Sequence, residues 1–159
     1  GAEFGPAKRW PYYHYAKLAE MLIEQGYAIM LFGSAKDVDV GEQIRNTLPK
    51  TLQPFCVNLA GQTSLDQAVD LIAHCAVIVS NDSGLMHIAA ATSRPLVALY
   101  GPTSPTYTPP LSDKAIILRK IEGGLLKVRK SMDSAEGYHQ SLIDLFPQDV
   151  MEAVRSLQA

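Results

Sequence analysis

The chain has 159 residues, 47% of them hydrophobic and 19% charged, with a formal net charge of −2. That balance supports one folded domain over residues 1–159 and is too apolar for a disordered chain. The slight acidic excess excludes the basic field that duplex nucleic acid requires. No apolar run approaches the ~20 residues of a membrane span, and no charged start followed by an apolar stretch marks a signal peptide.

The opening Gly1-Ala2-Glu3-Phe4-Gly5 reads as the continuation of something longer. Tyr15, Leu18, Ala19 and Leu22 then follow helical spacing, and Gly26 stops that helix. Ala28 to Phe32 is a short apolar run, read as a strand. Val40, Ile44 and Leu48 predict a helix ended by Pro49. Cys56-Val57-Asn58-Leu59 is a weaker strand pattern. Leu65, Ala68, Val69, Ile72 and Ala73 predict a helix; Thr63 or Ser64 caps it, and Ser64 with Gln67 forms a capping box. Ala76 to Ser80 is the next apolar run. Leu85 to Ala91 reads as a short helix that stops before Arg94-Pro95. Leu96 to Tyr100 and Ile116 to Leu118 are further strands, separated by a loop rich in Pro, Thr and Ser. Residues 121–135 carry no clear element. Val150, Val154 and Leu157 share one face of a last helix, with Pro147 near its first turn.

The strand runs are continuous rather than alternating, which suits parallel strands buried on both faces. Alternation of strand and helix predicts an α/β fold with a Rossmann-like, doubly wound parallel sheet. The central strand that normally opens such a sheet is missing from the pattern; Gly1-Ala2 would be only its last residues. Cys56 and Cys75 lack metal-ligand spacing and read as small core residues of a protein from a reducing compartment.

Ligands of open parallel sheets bind beyond the carboxyl ends of the strands, and most of the polar and glycine-bearing clusters fall on that rim. Lys8 and Arg9 precede the first helix, where an ammonium can neutralise a diphosphate or simply sit in solvent. Asn81-Asp82-Ser83-Gly84 joins a strand to a helix. Free amides there suit phosphate, with Gly84 permitting close approach; Asp82 suits sugar hydroxyls, but Asp82 or Ser83 also suits a plain N-cap. His87 lies one turn on, either as a core or edge residue or as a donor to phosphate. Thr63 reads first as a cap and second as a border for a base. Thr103 and Ser104, held between prolines, line the sugar end of a pocket or close a turn. Lys127, Arg129 and Lys130 form a solvated face or meet an anionic acceptor. The Gly-x-Gly-x-x-Gly, Walker, His-Glu-x-x-His and Gly-x-Ser-x-Gly motifs are all absent from the sequence, against dehydrogenase, P-loop, zinc-protease and lipase chemistry.

The segments Gly1 to Pro11, Asn58-Leu59-Ala60-Gly61, Asn81 to His87, Tyr100 to Pro105, Lys127 to Lys130 and Glu136 to Leu142 together resemble the heptosyltransferases of glycosyltransferase family 9. The resemblance implies the C-terminal half of a GT-B glycosyltransferase, the half that binds ADP-heptose. It implies Lys8 at the diphosphate, Asp82 at heptose hydroxyls, Ser83 and Gly84 at phosphate with His87 close by, and Thr63 near the adenosine. Some relatives place an acidic residue for ribose where Ala35 stands here, with Lys36 and Asp37 following. The implied reaction inverts the sugar without metal or cofactor. Its base lies in the N-terminal half, so no catalytic residue is expected in this chain, which alone should not turn over. The implied acceptor is lipopolysaccharide inner core, reached through that other half. The implied location is the cytoplasm, with peripheral association at the inner face of the inner membrane. Competing expectations are half of a UDP-sugar epimerase and a stand-alone nucleotide-binding module.

Overall fold

The computed structural model describes residues 9–81, 83–101, 110, 112–119 and 138–158. Helix α1 (Tyr12–Glu24) starts immediately after Pro11, whose carbonyl accepts from the amides of His14 and Tyr15 at 3.0 and 3.1 Å. It buries Ala16, Leu18, Ala19, Leu22 and Ile23, the face set by the apolar spacing. Gly26, at φ +95°, takes the left-handed conformation that ends the helix. Strand β1 (Ile29–Leu31) follows, then a 3-10 turn at Ala35–Asp37 leading into α2 (Val38–Thr47). After β2 (Cys56–Asn58) comes α3 (Leu65–Ala73), whose N-cap is Ser64 rather than Thr63. Both halves of the expected capping box are present: Gln67 N–H donates to Ser64 Oγ at 3.2 Å, and Ser64 N–H to Gln67 Oε1 at 2.9 Å. The remaining elements are β3 (Ile78–Asn81), α4 (Gly84–Ala91), β4 (Leu96–Tyr100), β5 (Ala115–Arg119), α5 (Gln140–Ile143) and α6 (Pro147–Gln158). The sequence pattern does not signal α5, because one turn is too short to show a period.

The described strands pair only in parallel, as the continuous apolar runs predict, but they form two sheets rather than one. In the first, β1 lies beside β2, with Ile29 opposite Cys56. In the second, β4 lies between β3 and β5, with Val97 opposite both Val79 and Ile116. Only β4 is buried along its whole length. Its side chains alternate between two apolar layers. Val97 and Leu99 pack with Trp10, Leu18 and Leu22 near α1 and with Val150 and Val154 of α6. Leu96, Ala98 and Tyr100 pack with Ile72 of α3 and with Met86, Ala89 and Ala90 of α4. Helices thus cover both faces of the three-stranded sheet, the doubly wound arrangement. Full burial of a Val or Leu side chain contributes ~1.5–3 kcal/mol, so these two layers dominate the stability of this sheet.

The facing edges of β1 and β3 are not hydrogen-bonded to each other. A cavity of about 470 Å³ lies between them, lined by Leu18, Leu22, Ile29, Leu31, Ile78 and Val79 among others. This explains why β1 and β3, expected to be buried on both sides, are partly exposed. The additional central strand expected from the sequence falls at or before Gly1-Ala2, outside the described residues.

Cys56 is buried, as expected of a core residue, whereas Cys75 is only half-buried and donates its thiol to the Leu71 carbonyl at the end of α3.

Candidate functional site

Three groups of side chains gather at the carboxyl ends of the strands. After β1, Asp37 folds back over Gly33. Its Oδ2 accepts from Ser34 N–H at 2.8 Å and from Ser34 Oγ at 3.2 Å. Its Oδ1 lies 3.5 Å from Arg9 Nη2. A Cβ at Gly33 would sit 2.6 Å from Asp37 Oδ2, so glycine is required for this fold-back. The loop after β2 is joined to it, because Gly61 N–H donates to the Gly33 carbonyl at 3.0 Å with Gly61 at φ +71°. Asp37, the loop's acidic residue, is therefore engaged as a cap and an ion-pair partner. Thr63, two residues beyond Gly61, is half-buried.

The second group surrounds Asn81, the last residue of β3 and one of the few buried polar residues among those described. Its Oδ1 accepts from Trp10 N–H at 2.9 Å and from the Tyr15 hydroxyl at 2.8 Å. Trp10 is 1% exposed, and its indole N–H donates to the Leu145 carbonyl at 2.7 Å. The segment that follows Lys8 in sequence is thereby tied both to the end of β3 and to the turn between α5 and α6. Burial pushes the Tyr15 hydroxyl well above the usual tyrosine range, in keeping with its role as a donor.

Ser83 occupies the N-cap position of α4 in extended conformation but makes no side-chain cap. Gly84 is exposed, and a Cβ there would meet nothing within 4 Å. The first amides of any helix lack intrahelical acceptors and lie at the positive end of its dipole. This start carries no acidic side chain in its first turn. His87 is exposed, which removes the reading of it as a core histidine and leaves its imidazole accessible from solvent one turn into α4.

The third group lies where β4 and β5 end. Arg119 Nε donates to the Gly101 carbonyl at 3.1 Å. Gly101 is pressed against the segment bearing α5: a Cβ there would lie 2.7 Å from Leu142 Cδ1 and 3.3 Å from Ser141 Oγ. His139 caps α5. Its Nδ1 accepts from Ser141 N–H at 3.2 Å and lies 2.6 Å from Ser141 Oγ.

Native structures rarely leave buried polar atoms without partners, and the exceptions call for an explanation. Among the described residues the buried side-chain atoms without a hydrogen-bond partner are Arg9 Nε, Ser83 Oγ and His139 Nε2. One belongs to each group along the rim. The channel between β1 and β3 is mainly apolar, with Arg9, Asp37 and Asn81 among the polar residues that line it.

Of the residues expected from the sequence, Ser83, Gly84 and His87 come together at the start of α4, while Thr63 lies by the loop after β2. Lys8, Asp82, Thr103, Ser104, Lys127, Arg129 and Lys130 lie outside the described residues. The sequence reading missed Asn81 as a clamp and His139 as a rim residue; the lone tryptophan beside Lys8-Arg9 was the available hint that this loop is anchored. Among the described residues no group of three or more side chains is disposed to hold a metal ion, and no helix is long and apolar enough to cross a membrane.

Comparison with known proteins places this geometry in context. The profile of glycosyltransferase family 9 (heptosyltransferase) matches residues 1–139. The chain is 70% identical over its whole length to lipooligosaccharide heptosyltransferase 2 of Haemophilus influenzae, of which it covers 46%. It is 64% identical to lipopolysaccharide heptosyltransferase 2 of Escherichia coli K12, with 99% of this chain and 44% of the relative covered. The solved structure of the E. coli ADP-heptose lipopolysaccharide heptosyltransferase II superposes with a TM-score of 0.89 at 60% identity, over 99% of this chain and 44% of that one. The chain thus spans about half the length of the curated relatives it matches.

Proposed function

Because the chain belongs to glycosyltransferase family 9, we propose that it is the donor-binding half of a GT-B heptosyltransferase, the half that holds ADP-heptose while heptose passes to the lipopolysaccharide inner core. The observation that carries this reading is the start of α4, where Ser83 Oγ is buried without a partner among the described residues and Gly84 is exposed. A diphosphate placed there would receive helix amides, the Ser83 hydroxyl and the His87 imidazole. Lys8 would add a full charge to the same phosphates, and Asp82 would accept from heptose hydroxyls. Thr63 and the loop after β1 would flank the adenosine. Since Asp37 is held by Ser34 and Arg9, and Ala35 has no polar side chain, the ribose would rely on main-chain groups of that loop.

In this reading the half works by electrostatics. Cleavage of the sugar–phosphate bond leaves charge on the departing ADP, and fixed donors aimed at that charge lower the barrier. The base that activates the acceptor, and the acceptor site itself, belong to the other half, so the chain alone binds the donor without transferring heptose. No cofactor or metal enters the proposed reaction. The proposed setting is the cytoplasm, at the inner face of the membrane that carries the acceptor.

The test is calorimetric titration of ADP into the chain, with UDP as control, beside a Lys8→Ala variant. The expected result is selective ADP binding, weakened about tenfold by loss of the charged contact. Preference for UDP, silence from a folded chain, or heptose transfer by the chain alone would each overturn the reading.

A further inference from the structure

His139 has not entered the account of donor binding, yet its environment fixes what it can do. A main-chain amide can only donate, so the bond from Ser141 N–H makes His139 Nδ1 an acceptor. The Ser141 hydroxyl, 2.6 Å from the same nitrogen, completes that side by donating to it. In the neutral ring the proton must then sit on Nε2. That nitrogen is buried and has no partner among the described residues. The ring is thus held as a fixed donor whose other end is satisfied, the arrangement that prepares an imidazole to meet an oxygen from outside the chain.

Its place along the rim says which oxygen. The strands run in the order β2-β1, then β3-β4-β5 beyond the channel. On the donor-binding reading, on which this inference rests, the nucleoside lies over the ends of β1 and β2 and the diphosphate at the start of α4, beside β3. Continuing in the same direction leads to the ends of β4 and β5. There Gly101 closes against Ser141 and Leu142, within two or three residues of His139. The group beyond the diphosphate is the sugar, a neutral polyol.

We infer that His139 is a substrate-contacting residue that donates its Nε2–H to a hydroxyl of the transferred sugar, and so contributes to recognition of the sugar rather than the nucleotide. His139 then separates two ligands that differ only in that sugar.

The experiment compares ADP and ADP-heptose binding to the chain and to its His139→Ala and His139→Gln variants by calorimetry. Loss of one such hydrogen bond should weaken ADP-heptose about tenfold in the alanine variant, leave ADP within about twofold, and be largely recovered by glutamine, whose amide still donates. In the wild-type chain, the imidazole ¹⁵N resonance of His139 Nε2 should move on adding ADP-heptose and stay still on adding ADP. Equal weakening of both ligands would make His139 only the cap of α5 and overturn the inference, as would an Nε2 resonance indifferent to the sugar. The resonance decides by itself should the alanine variant fail to fold. If the wild-type chain binds neither ligand, the donor-binding reading fails and this inference with it; if it binds both and His139 does not discriminate, the inference alone fails.

Discussion

The Tyr15 hydroxyl on α1 donates to Oδ1 of Asn81 at the end of β3, 2.8 Å away, and the Trp10 amide donates to the same oxygen. One side-chain oxygen thereby joins the loop that opens the chain, the first helix and the strand that leads into the start of α4. Within the segment that leads into α4, Asn81 is the residue that holds the rim together.

Replacing Asn81 by Leu keeps the number of side-chain heavy atoms and removes the acceptor, leaving the Trp10 amide and the Tyr15 hydroxyl without this partner. Each such loss costs about 1–3 kcal/mol, so the variant should lose roughly 2–4 kcal/mol in urea denaturation. Tyr15→Phe removes one donor and leaves Oδ1 with Trp10, and should cost about 1 kcal/mol. Equal losses in the two variants would show that the Trp10 arm contributes nothing.

The titration of three groups raised by their surroundings sets the alkaline limit of stability. Burial raises the Cys56 thiol from 9.0 to about 11, with Arg45 pulling it back and Glu42 adding to the rise. Burial also raises Cys75, against Arg94, and raises the Tyr15 hydroxyl. Each group keeps its proton longer in the folded chain than in the unfolded one. The unfolded state therefore holds fewer protons above pH 9, and stability falls as pH climbs from about 9 toward 11. Denaturation midpoints measured from pH 7 to 11 should be level at first and then decline through that window. A midpoint that stays flat to pH 11 would contradict the raised titration of these groups.

The channel between β1 and β3 exposes two parallel strand edges to one apolar space. A seven-residue Val/Ile-rich strand fused ahead of Gly1 should pair with both edges and bury its side chains there. Arg9 and Trp10 already bridge the mouth of the channel, through Asp37 and Asn81. Melting temperature should rise by at least about 5 °C, as ~2 kcal/mol gives in a domain of this size. The same fusion carrying a central proline, which cannot donate to a ladder, should show no rise. Equal behaviour of the two fusions would mean that the edges do not accept a strand.

Strand and helix type, the parallel class of the sheet and the α3 capping box were legible from sequence, because each rests on local periodicity or on residues three apart. The face that α1 buries follows from Leu18, Ala19 and Leu22, and the start of α4 follows from glycine and serine after an apolar run. Those signals are written within a few turns of chain. They also located the rim, since polar loops after buried strands fall on one edge of a parallel sheet.

Tertiary structure decided what the rim residues do there. Asp37 is held by Arg9 from 28 residues away; His87 suited a core and is exposed. Asn81 became a clamp only through a partner 71 residues off, and Trp10 an anchor through one 135 residues off. That Ser83 Oγ and His139 Nε2 have no partner among the described residues depends on every group that packs nearby. Periodicity is a property of neighbours in sequence, and it fixes which side of an element is apolar. Hydrogen-bond satisfaction is a property of neighbours in space, so which rim residues are tied into the fold is settled only when the distant segments meet.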